Sequence, residues 1–209
     1  MRKNAFTLAE VLITLGVIGV ISAITLPTVI HKIQMSVLQS QFKKAFSIMS
    51  NAMEKARVDS EYSLKCSSSA SRDCPEWNNL FESQFKIIKI CESNSYENGC
   101  IGNINGIDKV VIDKNSAQYS DNHLLFYNDR IKSGYAFVIA GGISVQYYAK
   151  LLRGVYLLDI NGTKGPNKWG YDVFSLSIDG ANTKLVCTEK LKNFYEVGGK
   201  SCEDMITNK

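Results

Sequence analysis

One carboxylate, Glu10, stands at the head of an otherwise uncharged run from Val11 to Ile30. Those 20 residues are about what a helix needs to cross the hydrocarbon core of a bilayer. An ionised side chain in such a segment costs on the order of 3 kcal/mol, so one that persists there has a partner or a task. Whatever else the chain folds into, it must place this run in lipid or against other apolar surfaces, and it must satisfy Glu10.

A secretory signal peptide is the ordinary explanation, with Arg2 and Lys3 as its basic start. The run is longer than the usual apolar region of about 7 to 15 residues, it is headed by a carboxylate, and no small-x-small cleavage site follows it. Pro27-Thr28-Val29-Ile30 leads instead into a polar helical pattern, so cleavage after the run is not expected. A plain signal anchor would account for neither Glu10 nor the short polar leader from Met1 to Ala5.

The order of residues is a basic leader, a small residue, Phe6-Thr7-Leu8-Ala9-Glu10 and an apolar helix. It resembles the N-terminus of the type IV pilin and type II secretion pseudopilin superfamily. The resemblance implies that a membrane prepilin peptidase cuts between Ala5 and Phe6 and methylates the new Phe6 amine. It implies that Glu10 then pairs with the Phe6 amine of a neighbouring subunit. The family usually carries Gly where this chain has Ala5, a residue small enough to keep the same reading. Implied partners are the peptidase, other pilin or pseudopilin subunits, the membrane and an inner-membrane assembly platform. The implied place is the inner membrane, single-pass with an extracytoplasmic head, and then the fibre. The implied organisation is a leader over 1–5, a membrane and assembly half-helix over 6–30, and a head over 31–209.

Composition agrees with a folded head: of 209 residues, 45% are hydrophobic, 21% are charged and only 3 are Pro. The net charge of +4 is too small to argue for nucleic acid. All six cysteines lie beyond the apolar run, which favours an oxidising, extracytoplasmic compartment. Their spacing suggests that neighbours pair: Cys66 with Cys74, Cys91 with Cys100, Cys187 with Cys202. A cysteine metal site is disfavoured, since no C-x-x-C occurs and no His lies near.

One long helix is expected from Phe6 to about Arg57, roughly 78 Å at 1.5 Å per residue. That is far longer than a bilayer needs, so its outer half must lie on a head. Leu38, Phe42, Ala45, Phe46, Met49, Ala52, Met53 and Ala56 recur at helical spacing and predict the buried stripe. Pro27 is expected to kink the helix, and Gly16 and Gly19 supply a close-approach strip. The Ser-rich stretch 58–75 reads as a loop, and Glu76–Ile90 as a short amphipathic helix through Trp77, Leu80, Phe81, Phe85 and Ile88. Asn94–Asn105 reads as surface loop, with short candidate strands at Val110–Ile112 and Leu124–Tyr127.

The clear strand signal begins at Tyr135–Ala140, turns at Gly141-Gly142 and returns over Ile143–Tyr148, a hairpin pattern. Further strands are expected at Gly154–Ile160 and Val173–Ile178, and a fifth at Leu185–Cys187. A long helix laid on an antiparallel sheet of about four strands is an α+β head, and the resemblance implies the same, a pilin-like architecture.

The most patterned outer segment runs from Asp159 to Asp172. Oxygen-bearing Asp159, Asn161, Thr163, Asn167 and Asp172, on a loop bent by glycines and a proline, are candidate ligands for Ca²⁺. The segment also resembles D-x-N-G loops of some pseudopilin heads, a subset of which bind calcium. Against the cation stands a turn in which Asp and Asn side chains cap backbone amides, and the loop is not an EF-hand. No cofactor is otherwise required.

Enzymatic constellations are missing from the sequence: His31 and His123 have no nucleophile-elbow or H-E-x-x-H context, and neither a phosphate loop nor a dinucleotide fingerprint occurs. A structural subunit is therefore the first expectation. A minor pilin that binds DNA or a surface ligand at a fibre tip is the alternative, and a membrane-anchored enzyme a remote third.

Overall fold

A computed structural model of the chain describes residues 7–59, 75–104, 132–147, 155–179, 184–187 and 199–207. Helix α1 runs from Leu8 to Asp59, 52 residues, and continues through Pro27. Helix α2 (Pro75–Ser83) and strand β1 (Ile87–Cys91) follow. Then come β2 (Ala136–Ile139), β3 (Ile143–Tyr147), β4 (Val155–Asp159), β5 (Val173–Asp179) and β6 (Lys184–Cys187), and a last turn of helix, α3 (Cys202–Thr207). By compactness the chain divides into Met1–Val37 and Leu38–Lys209.

The sheet is an antiparallel meander of six strands in the order β1-β2-β3-β4-β5-β6. The fold is thus α+β, as the pattern requires, with two more strands than the main expectation of four. The Leu185–Cys187 segment supplies one. The other is β1, which the helical spacing of Phe81, Phe85 and Ile88 had placed in a helix running to Ile90. That helix stops at Ser83 because Ile87-Ile88-Lys89-Ile90 is rich in β-branched side chains and finds a ladder partner in Ala136–Ile139. A shift in register between Ile87 and Lys89 marks β1 as an irregular edge strand. The hairpin joining β2 and β3 forms where expected, with Ile139 opposite Ile143 and a three-residue loop, Ala140 to Gly142. Gly141 and Gly142 both take positive φ, 102° and 79°, which side chains with a Cβ seldom adopt.

One face of the sheet lies against the outer part of α1. Leu38, Phe42, Ala45, Met49, Ala52, Met53 and Ala56 are buried, and Phe46 is half-buried, so the expected stripe is the core stripe. Phe42 meets Phe174 of β5 at 4.4 Å between ring centroids, while Phe81 of α2 meets Tyr156 of β4 at 5.1 Å. The opposite face, carrying Ser144 and Gln146, is covered by residues 92–104. The Ser144 hydroxyl donates to the Cys100 carbonyl, and Ile101 and Ile104 are buried there.

Cys91 is bonded to Cys100 and Cys187 to Cys202, as neighbour pairing predicts. The Cys66–Cys74 pairing lies outside the described residues, as do the candidate strands Val110–Ile112 and Leu124–Tyr127. Helix α3 was not expected. Its start is closed by Ser201, whose hydroxyl accepts the Asp204 N–H at 3.0 Å and donates to the Asp204 carboxylate at 2.7 Å. Its last carbonyls are met by Gln39 of α1, whose amide donates to Asp204 O at 3.2 Å and Met205 O at 3.0 Å.

Candidate functional site

Two regions carry the residues singled out in the sequence. The first is the start of α1. From Leu8 to Val37, fifteen Leu, Ile and Val side chains are exposed, and they lie on every side of the helix rather than along one stripe. The helix is long and apolar enough to cross a membrane. At roughly 1.5 to 3 kcal/mol for each such side chain left in water, leaving them uncovered costs on the order of tens of kcal/mol. Among the described residues nothing lies within 4 Å of where a Cβ would stand at Gly16 or Gly19, the kind of small-residue surface that allows close approach of another helix.

Glu10 has a local partner. Its carboxylate accepts from the Thr7 N–H and the Thr7 hydroxyl, each at 2.9 Å, while the Glu10 N–H donates to Thr7 Oγ1 at 3.3 Å. This is a capping box, which satisfies backbone donors that a helix start otherwise leaves unmet. Thr7 is therefore the cap of α1 and the residue that holds the Glu10 carboxylate, a role not anticipated from the sequence. The signal was present as Thr-x-x-Glu ahead of an apolar run. Ala5 and Phe6, the expected processing residues, lie outside the described residues.

The second region is the loop between β4 and β5. Asp159 closes β4 and Asp172 precedes β5; both side chains are buried, at 1% and 0% exposure. The Asp159 carboxylate accepts from the Asn161 N–H at 3.2 Å and from the Gly162 N–H. The Asp172 carboxylate accepts from Lys168 N–H at 2.7 Å, Asn167 N–H at 2.8 Å and the Asn161 side chain. Asn161 also donates to Gly165 O at 3.3 Å across a cis Gly165–Pro166 bond. The structure thus gathers Asp159, Asn161, Asn167 and Asp172, whereas Thr163 stays exposed.

Burial pushes the Asp159 carboxyl well above the usual carboxylate range, and the neighbouring Asp172 charge adds to it. Burial also raises Asp172, against the pull of the Lys168 and Asn167 N–H groups. The arrangement can store a proton, hold a turn rigid or, if enough lone pairs face inward, receive a hard cation. Among the described residues no group of three or more His, Cys, Asp or Glu side chains is placed to hold a metal.

Two further contacts tie this loop to the rest of the head. Lys200 N–H donates to Gly170 O at 2.8 Å, bringing the segment before α3 onto the loop. Gly102, from the layer over the sheet, lies so close to Asn167 that a Cβ there would collide with the Asn167 carboxamide. Gly102 was not anticipated, because its partner is distant in sequence and only the fold joins them. Comparison with protein-family models, curated proteins and solved structures finds no match.

Proposed function

We propose that the chain is a structural subunit of a type IV pilus or type II secretion pseudopilus, made as a membrane-anchored precursor. A prepilin peptidase removes Met1 to Ala5, and the mature chain begins at a methylated Phe6. The helix holds monomers in the inner membrane until the assembly platform extracts them into the fibre. The observation that carries this reading is the all-round apolar exposure of α1 from Leu8 to Ile30, headed by one carboxylate. Such a surface suits lipid first and a bundle of like helices afterwards. Lipid is as apolar as the bundle, so the transfer gives little hydrophobic drive, and polar pairing and close packing must select the assembled state. Glu10 meets that need: once the Phe6 amine of a neighbour replaces lipid, the carboxylate gains a charged partner that Thr7 alone does not offer.

The capping box gives the test its discriminating variant. Glu10→Gln keeps a side chain able to cap Thr7 but removes the charge, whereas Glu10→Leu removes both. In cells without the unmodified chain, both variants are expected as cleaved monomer in the membrane fraction, missing from sheared fibres. Ala5→Leu is expected one step earlier, with the leader retained. Intact-mass analysis of the membrane extracts reads the cleavage. A mature protein starting at Met1 or after Ile30, or normal fibres from Glu10→Gln, would overturn the proposal.

A further inference from the structure

The side chain of Asn167 can sit in the β4–β5 loop in two ways. With its oxygen facing inward, it would confront Gly162 O and an Asp159 carboxylate oxygen, three acceptors meeting with no donor among them. With the amide nitrogen there, it donates to Gly162 O at 2.9 Å and to Asp159 Oδ2 at 3.2 Å. The second arrangement completes a set: Asp159 receives the N–H groups of Asn161, Gly162 and the Asn167 amide, and Asp172 those of Lys168, Asn167 and the Asn161 amide. Each carboxylate is thus met by N–H donors, which occupy lone pairs that a cation would need. A calcium ion needs roughly six to eight oxygen ligands. Here the one side-chain oxygen left buried without a partner is Asn161 Oδ1. The residues present do not fit the cation.

We infer that the Asn167 carboxamide does in this loop what a bound cation would do, so that the head closes without calcium and one substitution would make it calcium-dependent. The backbone favours the assignment. Asn167 takes φ 47°, a left-handed conformation that asparagine tolerates better than most residues. Gly102 leaves the room that the carboxamide fills. Asn167 thereby joins three separate segments: the layer over the sheet, the end of β4 and the approach to β5.

The test uses the full-length protein in detergent micelles, with thermal unfolding followed in chelator and in millimolar CaCl₂. The unmodified protein is expected to melt at the same temperature in both. Asn167→Asp replaces the donor by a third carboxylate: it should melt lower in chelator, and calcium should restore several degrees. Asn167→Gly suits the backbone angle but lacks the amide: it should melt lower with no response to calcium. Gly102→Ala should lower the melting temperature in the unmodified background and cost much less beside Asn167→Gly, where the space is free. A rise with calcium in the unmodified protein would overturn the inference, because the ion, with the Asn167 oxygen as ligand, would then be the closure. So would a folded Asn167→Asp protein indifferent to calcium. If Asn167→Asp does not fold, the calcium arm of the unmodified protein and the Gly102→Ala pair still decide.

Discussion

Within the one helix α1, residues 8–37 and residues 38–58 solve opposite problems. In the first stretch, Leu12, Ile18, Ile24 and Ile30 are as exposed as their neighbours, and charged, imidazole or amide side chains occur only at Glu10, His31, Lys32 and Gln34, near its two ends. In the second, apolar residues other than the exposed Val58 keep to a stripe that the head covers, and Lys44, Ser47, Asn51 and Lys55 take the exposed side. The difference teaches that helix formation is not what this chain must arrange outside itself; coverage is. The outer stretch is completed by the chain's own sheet, whereas the inner one stays exposed among the described residues.

The sharpest way to break that comparison is one large truncation in each half. Phe42 is fully buried against Phe174, so Phe42→Ala should destabilise the head by about 3 to 5 kcal/mol, through lost burial and the cavity left behind. Ile18→Ala, in an exposed position, should leave head stability unchanged. Thermal or denaturant unfolding of the detergent-solubilised protein compares them. A matching loss from Ile18→Ala would mean that the inner stretch is held by the head after all.

Next in size is the Cys187–Cys202 bond, which closes a separation of 15 residues and ties β6 to α3. Replacing both cysteines by serine should cost about 3 kcal/mol by freeing the unfolded chain. The Cys91–Cys100 bond closes a separation of 9 and should cost less. Equal or reversed costs would mean that strain or local packing, rather than loop closure, sets the contribution of each bond.

What could be read from the residues follows the same division. The stripe from Leu38 to Ala56 was legible because one-sided burial imposes a helical period, and the β2–β3 hairpin because two glycines fit the positive φ it needs. Strand β1 was misread because Phe81, Phe85 and Ile88 happen to keep helical spacing, while the ladder that claims Ile87–Cys91 comes from Ala136–Ile139, far along the chain. Of the candidate loop, Asp159, Asn161, Asn167 and Asp172 were legible as a polar pattern. Thr163 shared the pattern but not the geometry, and Gly102 had no local signal at all. The capping residues Thr7 and Ser201 carried a local signal, a hydroxyl three residues ahead of a carboxylate at Glu10 and at Asp204.

A pH gradient probes the buried pair of the head with a slope rather than a step. Both Asp159 and Asp172 are raised above their ordinary values in the folded chain. The folded state therefore binds protons more tightly than the unfolded one. Their contribution is complete below the unfolded Asp value of about 4 and is lost as pH rises through the folded values. Relative to the unmodified protein, Asp172→Asn should flatten this decline, because it removes the charge that opposes ionisation of Asp159. Melting temperatures from pH 4 upward read the slope. A slope identical in both proteins would show that the two carboxyls do not titrate against each other.

The smallest expected effect lies just beyond the boundary between the two stretches. Gln39 is the second residue of the outer unit, and its amide donates to the carbonyls of Asp204 and Met205, at the end of α3. A short helix leaves its last carbonyls unmet, so this side chain completes α3 from another element. Gln39→Ala should cost about 1 kcal/mol, the ordinary net value of a side-chain hydrogen bond, since water can reach part of the site. Gln39→Glu removes the donor and sets a carboxylate against two carbonyls, so it should cost more than Gln39→Ala. Hydrogen exchange supplies the local reading: protection in 202–207 should fall in both variants while that in β3 and β4 holds. If β3 and β4 lose protection equally, Gln39 supports the whole head, and the outer stretch of α1 is joined to the C-terminal segment as closely as to the sheet.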